Sequence, residues 1–210
     1  MTPTITIEPR TLYIGTPVIL ISTVNPNGTT NLAPMSSAWF VGDSWMLGLD
    51  KSSQTTLNLE RTGELVLNLA SSELVDHVNR LACTTGTTDI PPHKQAKGFV
   101  SVEDKFGHAQ LTPIPSETVA PPRVCECPIQ IESKVRATRH LGDPHSGVVS
   151  VEASVSRVHI HASLLLPGTH NHISPEAWDP LIMKFCHLYG HAVNLRTSQL
   201  ADAWNIPPIA

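Results

Sequence analysis

The chain has 210 residues, of which 40% are hydrophobic and 15% charged, a balance that fits one globular domain over 1–210 and excludes a disordered or low-complexity chain. Lys and Arg total 14 against 18 Asp and Glu. The basic residues are scattered, so no footprint for a phosphodiester backbone exists and nucleic acid is not an expected partner.

Pro17 to Val24 is β-branched and apolar and runs into Asn25-Pro-Asn-Gly28, whose Asn-Gly pair suits a tight hairpin turn. A second strand is expected from Thr29 to about Ala38. Pro34 lies inside it and cannot donate to a ladder, which puts part of the strand at an edge or bulge and leaves backbone groups free to face a ligand. Trp45 to Leu49 reads as a third strand. A helix is expected next, capped by Ser52 or Ser53, reaching about Arg61 and ending at Gly63.

Glu64 to Leu69 is strand-like, and Leu74, Val75, Val78 and Leu81 form one helical stripe. From about 83 to 123 prolines interrupt every element, which predicts an irregular insertion over the barrel, with a short helix near Pro92. Pro128 to Ala137 and Gly147 to Ala162 read as two long antiparallel strands that close the barrel. Ser174 to Trp178 resembles a capped first helical turn, and Pro180 to Tyr189 is expected to continue as a short apolar helix in a helical tail over about 174–210. The fold class is therefore mainly β with peripheral helices and six to seven antiparallel strands.

The strand-to-helix junction at Lys51 to Asn58 carries the most chemistry. A helix N-terminus offers free N–H groups and partial positive charge, and so binds anions. Around it Ser52, Ser53, Thr55 and Thr56 add hydroxyls, Gln54 and Asn58 add amides, and Lys51 adds a full charge, within reach of one phosphate. The same residues also suit an ordinary capped helix. On the neighbouring strand, Asn31, Ala33, Pro34, Met35, Ser36 and Ser37 offer small side chains, hydroxyls and free backbone against which a flat isoalloxazine ring could lie.

Gly15-Thr-Pro-Val, Asn31-Leu-Ala-Pro-Met-Ser-Ser37, Ser53-Gln-Thr-Thr-Leu-Asn58, Pro91-Pro-His-Lys94 and Pro180 to His187 together resemble the flavin reductase-like family in a longer-chain branch. The resemblance implies a homodimeric FMN-binding split β-barrel, with the ring on Ala33 to Ser37 and the phosphate at Lys51 to Asn58. It also implies NADH or NADPH as reductant and no obligatory catalytic side chain. The expected function is an FMN-dependent oxidoreductase of the NAD(P)H:flavin type. The alternative is an FMN-binding or carrier protein serving a partner enzyme or a specialised small-molecule substrate, without nicotinamide-dependent activity.

Other constellations are weaker. His159-x-His161 and His170-x-His172 lack a complete ligand set, so no metal site is assigned. His187 is expected near the flavin or a dimer interface, or simply packed. Four cysteines without a Cys-x-x-Cys pair read as reduced thiols, with Cys125 and Cys127 on one strand face in the core. Apolar runs such as Thr16 to Val24 are too short to span a bilayer, and the start has no signal-peptide pattern, so a cytoplasmic protein is expected.

Overall fold

The computed structural model describes residues 2–143, 145–198 and 200–203. Its centre is one antiparallel sheet of seven strands. In chain order these are β1 (Ile19–Val24), β2 (Thr30–Met35), β3 (Ala38–Val41), β4 (Ser44–Asp50), β5 (Glu64–Leu69), β6 (Ile129–His140) and β7 (Val148–Ile160). They pair in the order β2-β1-β5-β6-β7-β4-β3. The two edge strands, β2 and β3, are thus consecutive in the chain and joined only by Ser36 and Ser37. Such a link forces the sheet to curl until its edges meet, which makes a barrel split along that seam.

The strand expected over Thr29 to Ala38 is therefore two strands from opposite edges. Pro34 is tolerated because β2 is an edge and has no partner on its outer side.

Burial follows the pleat. Along β4, Trp45, Leu47 and Leu49 point into the barrel while the residues between them are half-buried. Strand β1 is buried on both faces. Ile19 and Ile21 enter the barrel core with Leu65, Leu67, Val149 and Val151. Val18 and Leu20 join Leu32 in a second core on the outer face. Two helices cover that outer core, α2 (Val75–Leu81) and α4 (Lys105–Ala109), through Val78, Leu81, Phe106 and Ala109. The predicted stripe of Leu74, Val78 and Leu81 is thus the packed face of α2, and Val75 lies at its margin. The helix after β4 is α1 (Gln54–Thr62), with Ser53 as N-cap and Gly63 in the left-handed region at its C-cap.

The insertion over 83–123 holds short elements only, including α3 (Pro92–Gln95) and two short pairs of strands, Thr84–Thr85 with Val100–Ser101 and Pro113–Ile114 with Arg123–Val124. Buried Glu132 on β6 pins part of it. Its carboxylate accepts from the Glu117 and Thr118 N–H groups at 2.8 and 2.5 Å, from the Thr118 hydroxyl at 2.5 Å, and bonds His159 Nε2 at 2.8 Å. Burial alone pushes this carboxyl up, but these bonds reverse the effect and hold it at about 2.

The helix expected over Pro180 to Tyr189 is a β-hairpin instead. Ile182–Lys184 and His187–Tyr189 pair with each other, and the first also pairs with Ile14–Pro17. Phe185 and Cys186 turn the corner with φ of 47° and 63°, the positive values that a tight two-residue turn needs and that neither residue type advertises. The sheet partner at Ile14–Pro17 outweighs local helix preference. Ser174 to Trp178 forms its single turn, with Ser174 Oγ accepting from the Ala177 N–H at 3.2 Å, and goes no further. Within the expected tail only Leu200–Ala203 is α-helical among the described residues, while residues 199 and 204–210 lie outside them.

Candidate functional site

The start of α1 leaves backbone donors free. Its first turn holds no acidic residue, and the Gln54 and Thr55 N–H groups have no carbonyl acceptor within the helix. The surrounding hydroxyls are mostly engaged within the protein. Thr56 donates its single proton to the Asp50 carbonyl at 2.8 Å, so Ser53 Oγ, 2.9 Å away, donates to Thr56 Oγ1. Ser52 Oγ donates to Asp50 Oδ1 at 2.7 Å. Thr55 is different: its Oγ1 accepts from Asn31 Nδ2 at 3.0 Å, which leaves its own proton available.

Two adjoining clefts open here, sharing Met35, Leu49 and Asp50. The first has a volume of about 260 Å³, slightly below the usual range of small-molecule sites. Ala33, Pro34 and Met35 of β2 form one wall, with Asn31, Ser53, Gln54 and Thr55 beside them. The insertion supplies the other wall through Cys83 to Gly86, Lys94, Phe99 and Lys105. The chain at Gly86 lies so close that a Cβ there would stand 2.5 Å from Asn31 Oδ1.

Two lysines bring charge to this cleft. Lys94 is 8% exposed, and its Nζ lies 3.5 Å from Asp50 Oδ2. Lys105 is 1% exposed and donates to Thr84 Oγ1; no carboxylate lies within ion-pair distance of it among the described residues. Asp104 caps α4 by accepting the Gly107 N–H at 2.9 Å, which fixes the turn that carries Lys105 inward. Burial pulls the Lys105 ammonium down to about 8. Among the described residues the one carboxylate facing the cleft, Asp50, is already held by Ser52, His93 and Lys94. Burial raises its carboxyl, and those partners outweigh it to hold Asp50 at about 2.

The second cleft runs past Ser37, Gly48, Lys51, Ser52, His93 and Lys97. Gly48 extends the β3–β4 pairing by one rung: its N–H donates to the Ser37 carbonyl at 2.8 Å, and a Cβ would come within 3.2 Å of Ser37 Cβ.

The candidate residues thus divide. Asn31, Ala33, Pro34, Met35, Ser53, Gln54 and Thr55 line the first cleft; Met35, Ser37, Lys51 and Ser52 line the second; Ser36 lines neither. Asn58 is fully buried and turned away, donating to Thr23 Oγ1 and Asn25 Oδ1 at 2.9 Å each and accepting from Gln54 at 2.8 Å. Lys51 lines the second cleft, and the ammonium groups that line the first are those of Lys94 and Lys105. Lys94 had a signal in Pro91-Pro-His-Lys94, whereas Lys105 and Thr84 to Gly86 had none, because an irregular stretch gives no period from which to read direction.

Elsewhere, His159 bonds Glu132, and His161 Nε2 lies 3.1 Å from the Cys125 carbonyl. Among the described residues no cluster of His, Cys, Asp and Glu could hold a metal. Cys125 is exposed and sits beyond the Arg123–Val124 strand, so only Cys127 of that pair is a core thiol. Burial pushes the Cys127 thiol up. His187 is exposed on the C-terminal hairpin. No described helix is long and apolar enough to cross a membrane.

Known proteins share this architecture. The flavoredoxin of Desulfovibrio vulgaris (Miyazaki F) superposes with a TM-score of 0.77 at 21% identity, covering 95% of this chain and all of that one. The nitrilotriacetate monooxygenase component B of Bacillus cereus gives 0.74 at 20%, covering 94% of this chain and all of its own. At this identity both speak to fold alone. In sequence, the uncharacterized protein YdfE of Bacillus subtilis (strain 168) is 41% identical over 184 residues, 88% of this chain and 87% of that protein. The family description "Flavin reductase like domain" matches residues 11–173. With the seam between β2 and β3, the clefts beside it and this match over most of its length, the chain belongs to the flavin reductase-like family, a membership that implies a flavin cofactor.

Proposed function

We propose that the chain binds FMN across the first cleft and works as an oxidoreductase that draws electrons from NADH or NADPH. The observation that carries this reading is Lys105. A buried ammonium without a carboxylate, lining the same cleft as Gln54 and Thr55 with their free amides, calls for an anion there. A phosphate monoester suits that donor set. Lys105 supplies the charge, Thr55 a hydroxyl proton, and the helix start two N–H groups. The small residues Ala33 and Pro34 leave the edge of β2 open to a flat ring, and Met35 offers apolar contact where the clefts meet. FMN bound there would supply two-electron chemistry. The protein's part is to orient it, to keep water from one face with the insertion, and to leave the second cleft open for a reactant.

A homodimer is part of the same reading. Trp39, Phe40 and Val41 on β3 are all more than half or about half exposed, at 57%, 50% and 62%. Such an apolar run on an edge strand beside the cleft suits burial by a second copy. Sedimentation at micromolar concentration is expected to give twice the chain mass.

The alternative, a carrier that holds FMN for another protein, draws on Thr84 to Gly86 and Phe99, which enclose the first cleft and would retain the cofactor. Anaerobic mixing of the flavin-loaded protein with NADH or NADPH separates the two. Bleaching of the flavin absorbance within seconds supports the reductase; an absorbance indifferent to both nicotinamides overturns it and leaves the carrier.

A further inference from the structure

We propose that His93 is the proton donor of the second cleft, and that this cleft takes an anionic organic acceptor of two electrons. The inference rests on the FMN reading of the first cleft and extends it to the reaction that consumes the electrons.

The geometry starts from Asp50, the carboxylate shared by both clefts. Its Oδ1 accepts from the Ser52 N–H and Oγ, each at 2.7 Å, which fixes the group against the start of α1. Its Oδ2 faces two partners, His93 Nε2 at 3.0 Å and Lys94 Nζ at 3.5 Å. Lys94 lines the first cleft and His93 lines the second. One fixed carboxylate therefore orients an imidazole toward one cleft while pairing a lysine in the other. With Nε2 donating to Asp50, Nδ1 is the ring nitrogen left for a molecule in the second cleft, and it donates when the ring carries both protons as an imidazolium. Asp50 is a positioning residue in this arrangement.

The cleft's other charges set the class of molecule. Lys51 and Lys97 line it, and among the described residues Asp50 is its only carboxylate, already engaged. Tyr13, Met35, Leu141 and Val148 add apolar wall. An organic molecule carrying a carboxylate or sulfonate fits that combination better than a neutral one.

Hydride delivery from a nicotinamide to a flavin needs no proton from the protein. Reduction of an organic acceptor does. FMN in the first cleft would supply a quinone-like acceptor with two electrons and one proton, and the His93 imidazolium donates the second proton that completes two O–H bonds, leaving a neutral ring. Water returns the proton to His93, so atoms and charge balance over the cycle. An imidazole held by a carboxylate beside the cofactor site is an unneeded device for flavin reduction and a fitting one for this step.

Two measurements test the proposal. In the flavin-free protein, naphthalene-2-sulfonate is titrated while the His93 ring resonances are followed by NMR. A saturable shift at His93, lost in the Lys51→Ala/Lys97→Ala variant, is expected; a silent His93 overturns the assignment of the cleft. The FMN-loaded protein is then photoreduced without oxygen and reoxidised by 1,4-naphthoquinone-2-sulfonate or by ferricyanide. Both oxidants are anions, but ferricyanide takes electrons without a proton. His93→Gln is expected to lower the ratio of the quinone rate to the ferricyanide rate about tenfold or more. An unchanged ratio overturns the proton-donor role. Failure of the unmodified protein to bind FMN would remove the reading beneath; normal FMN binding with an unchanged ratio and a silent His93 removes this proposal alone.

Discussion

Asn31 Nδ2 donates to Thr55 Oγ1 at 3.0 Å, and both side chains are buried. This bond ties the strand that would carry the ring to the helix start that would carry the phosphate. The same amide reaches Thr23 Oγ1 at 3.4 Å, so β1, β2 and α1 meet on one side chain. Asn31→Leu keeps the shape and removes the bonds. It is expected to lower unfolding free energy by about 1–3 kcal/mol in urea titrations and to weaken FMN binding. A loss of stability with unchanged FMN affinity would separate Asn31 from the site.

Lys105 makes a prediction of the opposite sign for stability. Its ammonium is buried without a carboxylate, and burial pulls it to about 8, below the ordinary value of 10.5. The folded state therefore releases this proton earlier than the unfolded chain. The cost of burying the charge is in full force below about pH 8 and is relieved as pH rises from there toward 10.5. Lys105→Met should raise the melting temperature of the flavin-free protein at pH 7 and weaken FMN about tenfold or more by removing a charge-assisted bond. A residue kept only for structure would lose stability on the same substitution.

Gly86 marks how tightly the insertion closes on the site. A Cβ there would lie 2.5 Å from Asn31 Oδ1 and 3.1 Å from Gln54 Cγ. Gly86→Ala must displace the insertion or the amide, at a cost of about 1–3 kcal/mol. Faster FMN release in stopped-flow displacement is the expected signature, and an unchanged release rate would place the loop outside the cofactor's path.

Glu132 governs acid stability. Its folded carboxyl, at about 2, lies below the unfolded value of 4.5, so its contribution is complete above about pH 4.5 and is lost as pH falls toward 2. Glu132→Gln should remove about 1–3 kcal/mol at pH 7 and flatten the fall of stability with acid over that window. Parallel curves for variant and parent would show that other carboxylates set the acid limb.

Much of the barrel was legible because its signals are local. Ser53 and Gly63 bracket α1 by their own conformations, and the alternation of Trp45, Leu47 and Leu49 states which way β4 faces. The seam at Ser36 and Ser37 was not legible, since those residues continue the strand pattern and only the sheet order breaks it. The hairpin at Phe185 and Cys186 was hidden for a related reason. Its partner, Ile14–Pro17, is far off in sequence, and its turn uses residues with no turn preference. At the Lys51 to Asn58 junction, composition overstated the free hydroxyls. Ser52, Ser53 and Thr56 satisfy one another and Asp50, leaving Thr55 as the free donor. The charge on which the proposed phosphate site relies is that of Lys105, whose inward direction depends on the cap at Asp104.

The central claim is that the first cleft recognises a flavin through its phosphate, and comparing FMN with riboflavin tests it most directly. The two share the ring and differ in the anion. Titrated against the purified protein by flavin fluorescence at pH 7, FMN is expected to saturate at one per chain. It should bind at least about tenfold more tightly than riboflavin, with that advantage gone in Lys105→Met. Equal affinity for the two, or no binding of either, would contradict the account.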